Sequence, residues 1–270
     1  MKTMKQAVYA ISDSSGETSA GFSRSMMAQF PEIEIKQRRF GFVQTTAELN
    51  HILQQAVVED AILFYTLSHR ELDEIVKDFT HRNNLLAFDI LNPYLDRIGQ
   101  RFQQHPSHEI GAARKLNAQY FDRIAAIDFA AENDDGKNPR SMLHADVVLL
   151  GISRTSKTPL SFFLANQHIK VTNLPLVPQA QLPPELWQVD PKKIVGLTND
   201  EEVLQKIRQE RMLAYGLQAT TAYSDTAKIQ AELDYADQLY QKLNCLVINV
   251  ANKSIEEVAS IITSELKLPI

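Results

Sequence analysis

ADVVLLGISRTSKTPLS, residues 145–161, reads as a strand, a loop and the start of a helix. Asp146 to Leu150 is a short apolar run of the kind a buried parallel strand requires. Pro159 falls where a first helical turn tolerates a residue without an N–H. Between them lies GISRTSKT: Gly151, Ile152, Ser153, Arg154, Thr155, Ser156, Lys157 and Thr158. In such a turn successive backbone N–H groups and a helix N-terminus converge on one spot and bind an anion. Lys157 adds a full charge, Arg154 a second one with planar, bidentate reach. The Thr158 hydroxyl is placed to ligand a magnesium ion bridging phosphates. The reading is a phosphate loop for a nucleotide, with phosphoryl transfer as its chemistry. One position departs from the usual G-x-x-x-x-G-K-T spacing, because Ser156 stands where the second glycine is expected. A serine at positive φ is costly, so a loop differing in detail from common triphosphatases is expected.

Outward from the loop, strands and helices alternate. Strands are expected at 170–177, 193–197 and 245–250, with helices from Pro159 to about Gln167, at 200–215 and at 224–243. A last helix opens on Ser254 with Glu257 three residues on, a capping box. Upstream, 8–11, 33–40 and 61–67 read as strands, and 18–29, 45–57 and 71–81 as helices. Strands alternating with helices at this spacing predict βαβ units around mainly parallel sheets. His105 to Arg140 differs, with polar stretches and the turn-former cluster NDDGKNPR. The expected organisation is an α/β protein in three parts. An N-terminal βαβ-type domain spans 1–105 and a connecting segment 106–140. A P-loop kinase-like phosphotransferase domain with a mainly parallel sheet spans 141–270. No internal sequence repeat is visible.

Composition excludes several classes. The net charge of −5 argues against nonspecific nucleic-acid binding. No apolar run approaches the roughly eighteen residues of a membrane span. MKTMKQAVYAISDSSGE carries too short an apolar run for a signal peptide and reads as a first strand. The single cysteine, Cys245, rules out an internal disulfide framework and fits a reducing cytoplasm. It opens the apolar run CLVINV, so buried packing is its expected role.

Other polar residues carry two readings each. Asp134 and Asp135 read as a general base for the target hydroxyl, as a magnesium ligand, or as a solvated Asp-Gly turn. Ser12 to Thr18 (SDSSGET) is either a helix cap through Ser14, Ser15 or Thr18, or a second phosphate or target-peptide site. Arg208 and Arg211, at i and i+3, reach phosphates together or pair at the surface with Glu210 and neighbouring acids, the default reading. His144 is expected to pack or hydrogen-bond, and Trp187 to anchor the QLPPEL loop. The histidines show no metal-ligand spacing.

GISRTSKTPLS closely resembles the loop of the bacterial pyruvate, phosphate dikinase regulatory proteins, which also carry serine before the lysine. The resemblance extends to DDG (134–136), LHADVVLL (143–150), NLPLVP (173–178), DPKKIVGLT (190–198), IRQER (207–211) and NKSIEEVA (252–259). At the other end ISDSSGET (11–18) is similar to that family's N-terminal signature. The resemblance implies a bifunctional enzyme that phosphorylates a threonine of the dikinase using ADP, switching it off. It implies reversal by inorganic phosphate, with release of pyrophosphate. ADP and phosphate are then co-substrates, with magnesium as the expected cation. The dikinase is the protein partner, and a homodimer the expected state. Lys157, Asp134 and Asp135 are the implied catalytic residues, with 151–158 holding the nucleotide. A sister group acts on phosphoenolpyruvate synthase and more often has glycine before the lysine, so Ser156 favours the dikinase. Two rivals remain at this stage, a small-molecule kinase using ATP and a non-catalytic ADP-sensing protein.

Overall fold

In the computed structural model, which describes residues 4–112, 118–218 and 223–268, the chain divides into two units, 1–115 and 116–270. The first is built as β1 (Met4–Ser12), α1 (Glu17–Met27), β2 (Ile33–Phe40), α2 (Thr46–Val58), β3 (Ile62–Thr66), α3 (Arg70–Arg82), β4 (Ala87–Asp89) and α4 (Asn92–Phe102). Its four strands pair in the order β2-β1-β3-β4, all parallel. Tyr9, Ile11, Leu63 and Tyr65 point to one face and pack on Leu49, Leu53, Leu72 and Val76 of α2 and α3. The opposite face carries α1, whose Phe22 ring lies 6.0 Å from that of Phe64.

The second unit starts with α5 (Ala118–Glu132), inside the segment expected to be a connector of turn formers. Residues 113–117 of that segment lie outside the described residues. The helix is lined with alanine, and Ala126 and Ala130 meet Ala165 of α6 (Lys157–Ala165). Small side chains give a weak apolar period, which is why the polar neighbours dominated its sequence pattern.

The remaining elements are β5 (Val147–Gly151), β6 (Val171–Pro175), β7 (Ile194–Thr198), α7 (Glu201–Ala214), α8 (Thr226–Leu243), β8 (Leu246–Asn249) and α9 (Ile255–Glu265). They form a parallel sheet in the order β6-β5-β7-β8. Both faces of this sheet are covered. Val148 and Leu150 pack with Leu204, Ile229, Leu233 and Tyr240 of α7 and α8. Val147 and Leu149 pack with Leu160 and Leu164 of α6 and Val258 and Ile262 of α9. A strand buried on both sides must be apolar at every position, which accounts for VVLL. The capping box is present, with Ser254 and Glu257 satisfying each other's backbone N–H.

In this strand order, β5 is flanked by β6 on one side and β7 on the other, so consecutive connections leave in opposite directions. The crevice outside the carboxyl end of β5 is therefore the topological switch point, where open α/β sheets place their ligands. The GISRTSKT loop leaves β5 there.

Candidate functional site

The 151–158 loop is held by its own short side chains. Gly151 closes β5 with no room for a side chain, because a Cβ there would run into the Thr155 hydroxyl and approach the Leu197 carbonyl at 3.2 Å. Thr155 is fully buried and donates to the Ile152 carbonyl at 2.9 Å. The chain then passes through two left-handed residues, Arg154 at φ 73° and Ser156 at φ 59°. The expected strain at Ser156 is thus real, and it sits directly before the first residue of α6. Ser156 makes no side-chain cap. Among the described residues, the backbone N–H groups of Arg154, Ser156, Lys157 and Thr158 find no acceptor within the protein. They are the orphan donors of a helix start, with its positive dipole end behind them.

Lys157 is buried and donates from Nζ to the Ile152 carbonyl at 3.0 Å. Burial lowers its pKa to about 8, against the pull of Asp135 and Asp134, with Arg154 and Arg208 adding to the depression. An anion beside Nζ would restore the charge.

Asp134 to Gly136 form a tight turn against β6, with Asp135 at φ 53° and Gly136 at φ 70°. The turn is exposed at Asp135 and half-buried at Asp134 and Gly136, and side-chain hydrogen bonds tie it to the sheet. Asn173, fully buried in β6, donates to Asp134 Oδ1 at 2.6 Å and accepts the Asp135 N–H at 3.1 Å. Asp134 Oδ1 also accepts the Thr158 hydroxyl at 2.9 Å, which ties the turn to α6. A side chain on Gly136 would meet Leu174 at 2.8 Å, so both space and backbone angle demand glycine there. Asp135 instead lines a cavity of about 480 Å³, together with residues 153–159, Pro175 and Ile207.

Among the described residues, no three His, Cys, Asp or Glu side chains converge as a metal cage. The donors present are the Thr158 hydroxyl and two aspartates beside an anion-binding loop. That all-oxygen, incomplete set fits magnesium, which keeps waters and takes phosphate oxygens to complete its shell.

Three other expectations are corrected. Arg208 does not pair with Glu210 at the surface; it is fully buried and meets Glu232 of α8 at 2.6 Å. Arg211 lies over the Tyr215 ring at 4.7 Å. His144 is exposed rather than packed. Trp187 is half exposed under Lys242, and the buried anchor of its loop is the neighbouring Leu186. Cys245 is half-buried with its thiol pKa pushed up by burial, which keeps it inert.

Sequence reasoning missed Asn173 and Tyr223 as site residues. Asn173 carried a signal, since a buried apolar strand has no other use for an amide. Tyr223 carried none; its hydroxyl lies 2.8 Å from Ser153 Oγ and accepts from Arg154 Nε at 2.9 Å, across some seventy positions of chain.

A switch-point loop with orphan N–H groups and two cations, beside two aspartates, has the chemistry that an anion such as phosphate requires. Comparison with known proteins makes the class specific. A family model described as kinase/pyrophosphorylase matches residues 8–263, and the chain belongs to that family of phosphotransferases. A relative from Lactiplantibacillus plantarum is 54% identical over 259 residues, covering 96% of this chain and 95% of its own. One from Levilactobacillus brevis is 52% identical over 258 residues, covering 96% and 94%. Both are named as pyruvate, phosphate dikinase regulatory proteins. Among the described residues, no helix is long and apolar enough to cross a membrane.

Proposed function

We propose that this phosphotransferase regulates a pyruvate, phosphate dikinase by adding and removing a phosphoryl group on one of its threonines. ADP is the donor and inorganic phosphate the acceptor in reversal. The observation that carries the reading is that Lys157, Arg154 and Asp135 line one cavity of about 480 Å³.

In the forward direction the threonine oxygen attacks the β-phosphorus of ADP. The new O–P bond forms as the bond to the α-phosphate oxygen breaks, and AMP leaves. Asp135 takes the threonine proton, because its carboxylate lines the cavity while Asp134 is committed to Thr158 and Asn173. In reversal a phosphate oxygen attacks the phosphothreonine phosphorus, pyrophosphate leaves, and the threonine oxygen recovers its proton. Lys157, Arg154 and the loop N–H groups neutralise charge on the transferring group in both directions, so one cavity serves both. Magnesium, held by Thr158, would supply further neutralisation of the phosphates.

The test mixes the chain with dikinase, its phosphohistidine form included, and ADP, and follows the mass of its threonine peptides. A gain of one phosphate is expected, reversed by added phosphate with release of pyrophosphate. Modification of phosphoenolpyruvate synthase alone would move the target while leaving the chemistry standing. ADP binding without modification of either protein would sink the catalytic reading.

A further inference from the structure

Arg208 heads the fully buried side chains by size, and its surroundings explain more than its neutralisation. A fork to Glu232, at 2.6 Å from Nη2 and 3.3 Å from Nη1, satisfies its charge. The same two nitrogens also donate at 3.1 Å to the carbonyls of Ser153 and Tyr223. The guanidinium carbon sits 4.8 Å from the centre of the Tyr223 ring. Tyr223 is thereby gripped on its face and at its backbone. Its hydroxyl returns to the loop, 2.8 Å from Ser153 Oγ, and accepts the N–H of Arg154 Nε at 2.9 Å.

This strut ends on a functional cation. Arg154 lines the phosphate cavity from a left-handed backbone position. Its Nε is committed to Tyr223, yet among the described residues it forms no ion pair. The terminal N–H fork is the part left to meet an anion. A phenol suits this task better than a carboxylate, since it orients the guanidinium without neutralising it.

We propose that Tyr223 is a positioning residue for phosphoryl transfer: its hydroxyl, braced by buried Arg208 and its partner Glu232, aims the Arg154 fork at the oxygens of the transferring phosphoryl group. The proposal rests on the phosphotransferase reading above. It explains why buried Arg208 and half-buried Tyr223 both spend polar contacts on one loop.

Tyr223→Phe isolates the hydroxyl, because the ring that packs on Arg208 is retained. The experiment is a four-protein cycle of wild type, Tyr223→Phe, Arg154→Ala and the double variant, with thermal midpoints recorded. Rates are read in both directions on dikinase, and affinity for inorganic pyrophosphate by calorimetry. Tyr223→Phe is expected to lose roughly 10–100-fold in rate with its midpoint held, the size a misaimed catalytic group produces. The double variant should be no slower than Arg154→Ala alone, because the proposed effect of the hydroxyl on transfer runs through that guanidinium. A Tyr223→Phe rate within about twofold of wild type would overturn the proposal, as would losses that multiply in the double variant. If wild type transfers nothing to dikinase or synthase, the proposed function fails by itself. The strut is then judged on pyrophosphate affinity, where the same non-additivity is expected and independent losses overturn it.

Discussion

The two units share one strand order, second-first-third-fourth, and each sends its first strand into a hydroxyl-rich turn that opens a helix. In both turns the residue before the helix is left-handed, Gly16 at φ 75° and Ser156 at φ 59°, and neither helix start is capped by a side chain. The neighbours then diverge. In the first unit Ser12 and Asp13 are tied to neighbouring strands and loops, while residues 12–18 line a cavity of about 420 Å³. Ser12 Oγ accepts from Thr66 at 3.0 Å, and buried Asp13 accepts the N–H groups of Ser68 and His69 at 2.5 and 3.0 Å. The expected capping role of Ser14, Ser15 or Thr18 is not realised; Gly16 holds that position. In the second unit the turn leaves the N–H groups of Arg154, Ser156, Lys157 and Thr158 unused and adds the Lys157 and Arg154 side chains. The sign of the charge buried in the turn separates the two, a carboxylate in one and an ammonium in the other.

The contrast breaks most sharply at those two charges. Lys157→Ala should lower transfer in both directions by on the order of a thousandfold or more, as loss of a phosphate-neutralising cation does; retained phosphorolysis would show that two sites share the work. Asp135→Asn should cost about a hundredfold or more in threonine phosphorylation if it takes the proton. A smaller loss there than in Asp134→Asn, measured side by side, would reverse the assignment between them. Asp13→Ala should behave oppositely. It strands two backbone N–H groups, so denaturant unfolding should show a loss of about 2 kcal/mol, with phosphoryl transfer by the folded fraction preserved.

A smaller effect follows from the depressed Lys157 pKa of about 8. The free protein loses this charge as pH rises through about 8, so ADP should bind about tenfold more weakly at pH 9 than at pH 7. A flat titration would place the lysine outside the anion site. The stability sign runs the other way. Between about 8 and the unfolded value of 10.5 the unfolded chain holds the proton that the folded one has released, so unliganded stability should rise with pH there.

Much of this was legible in the residues. The periodicity located both sheets' long strands, and Ser254 with Glu257 marked the start of α9. Less legible were β4, three residues long, and α5, whose alanine face carries little hydrophobic contrast. The matching strand orders left no trace in sequence because side chains, not topology, are what a sequence repeat records. Within the site, the loop with its cations and the Asp134–Gly136 motif could be quoted directly. Their relation could not, since it runs through Asn173, 39 positions from Asp134.

The GISRTSKT stretch by itself determined that this protein has a strand-to-helix turn bearing two cations, because local spacing and residue chemistry suffice for that. Only the tertiary structure decided which aspartate faces the cavity, that Arg208 lies inside rather than on the surface, and that Tyr223 holds Arg154. Those depend on burial and on partners far along the chain, where the cost of an unpaired charge selects the contact and no periodicity records it.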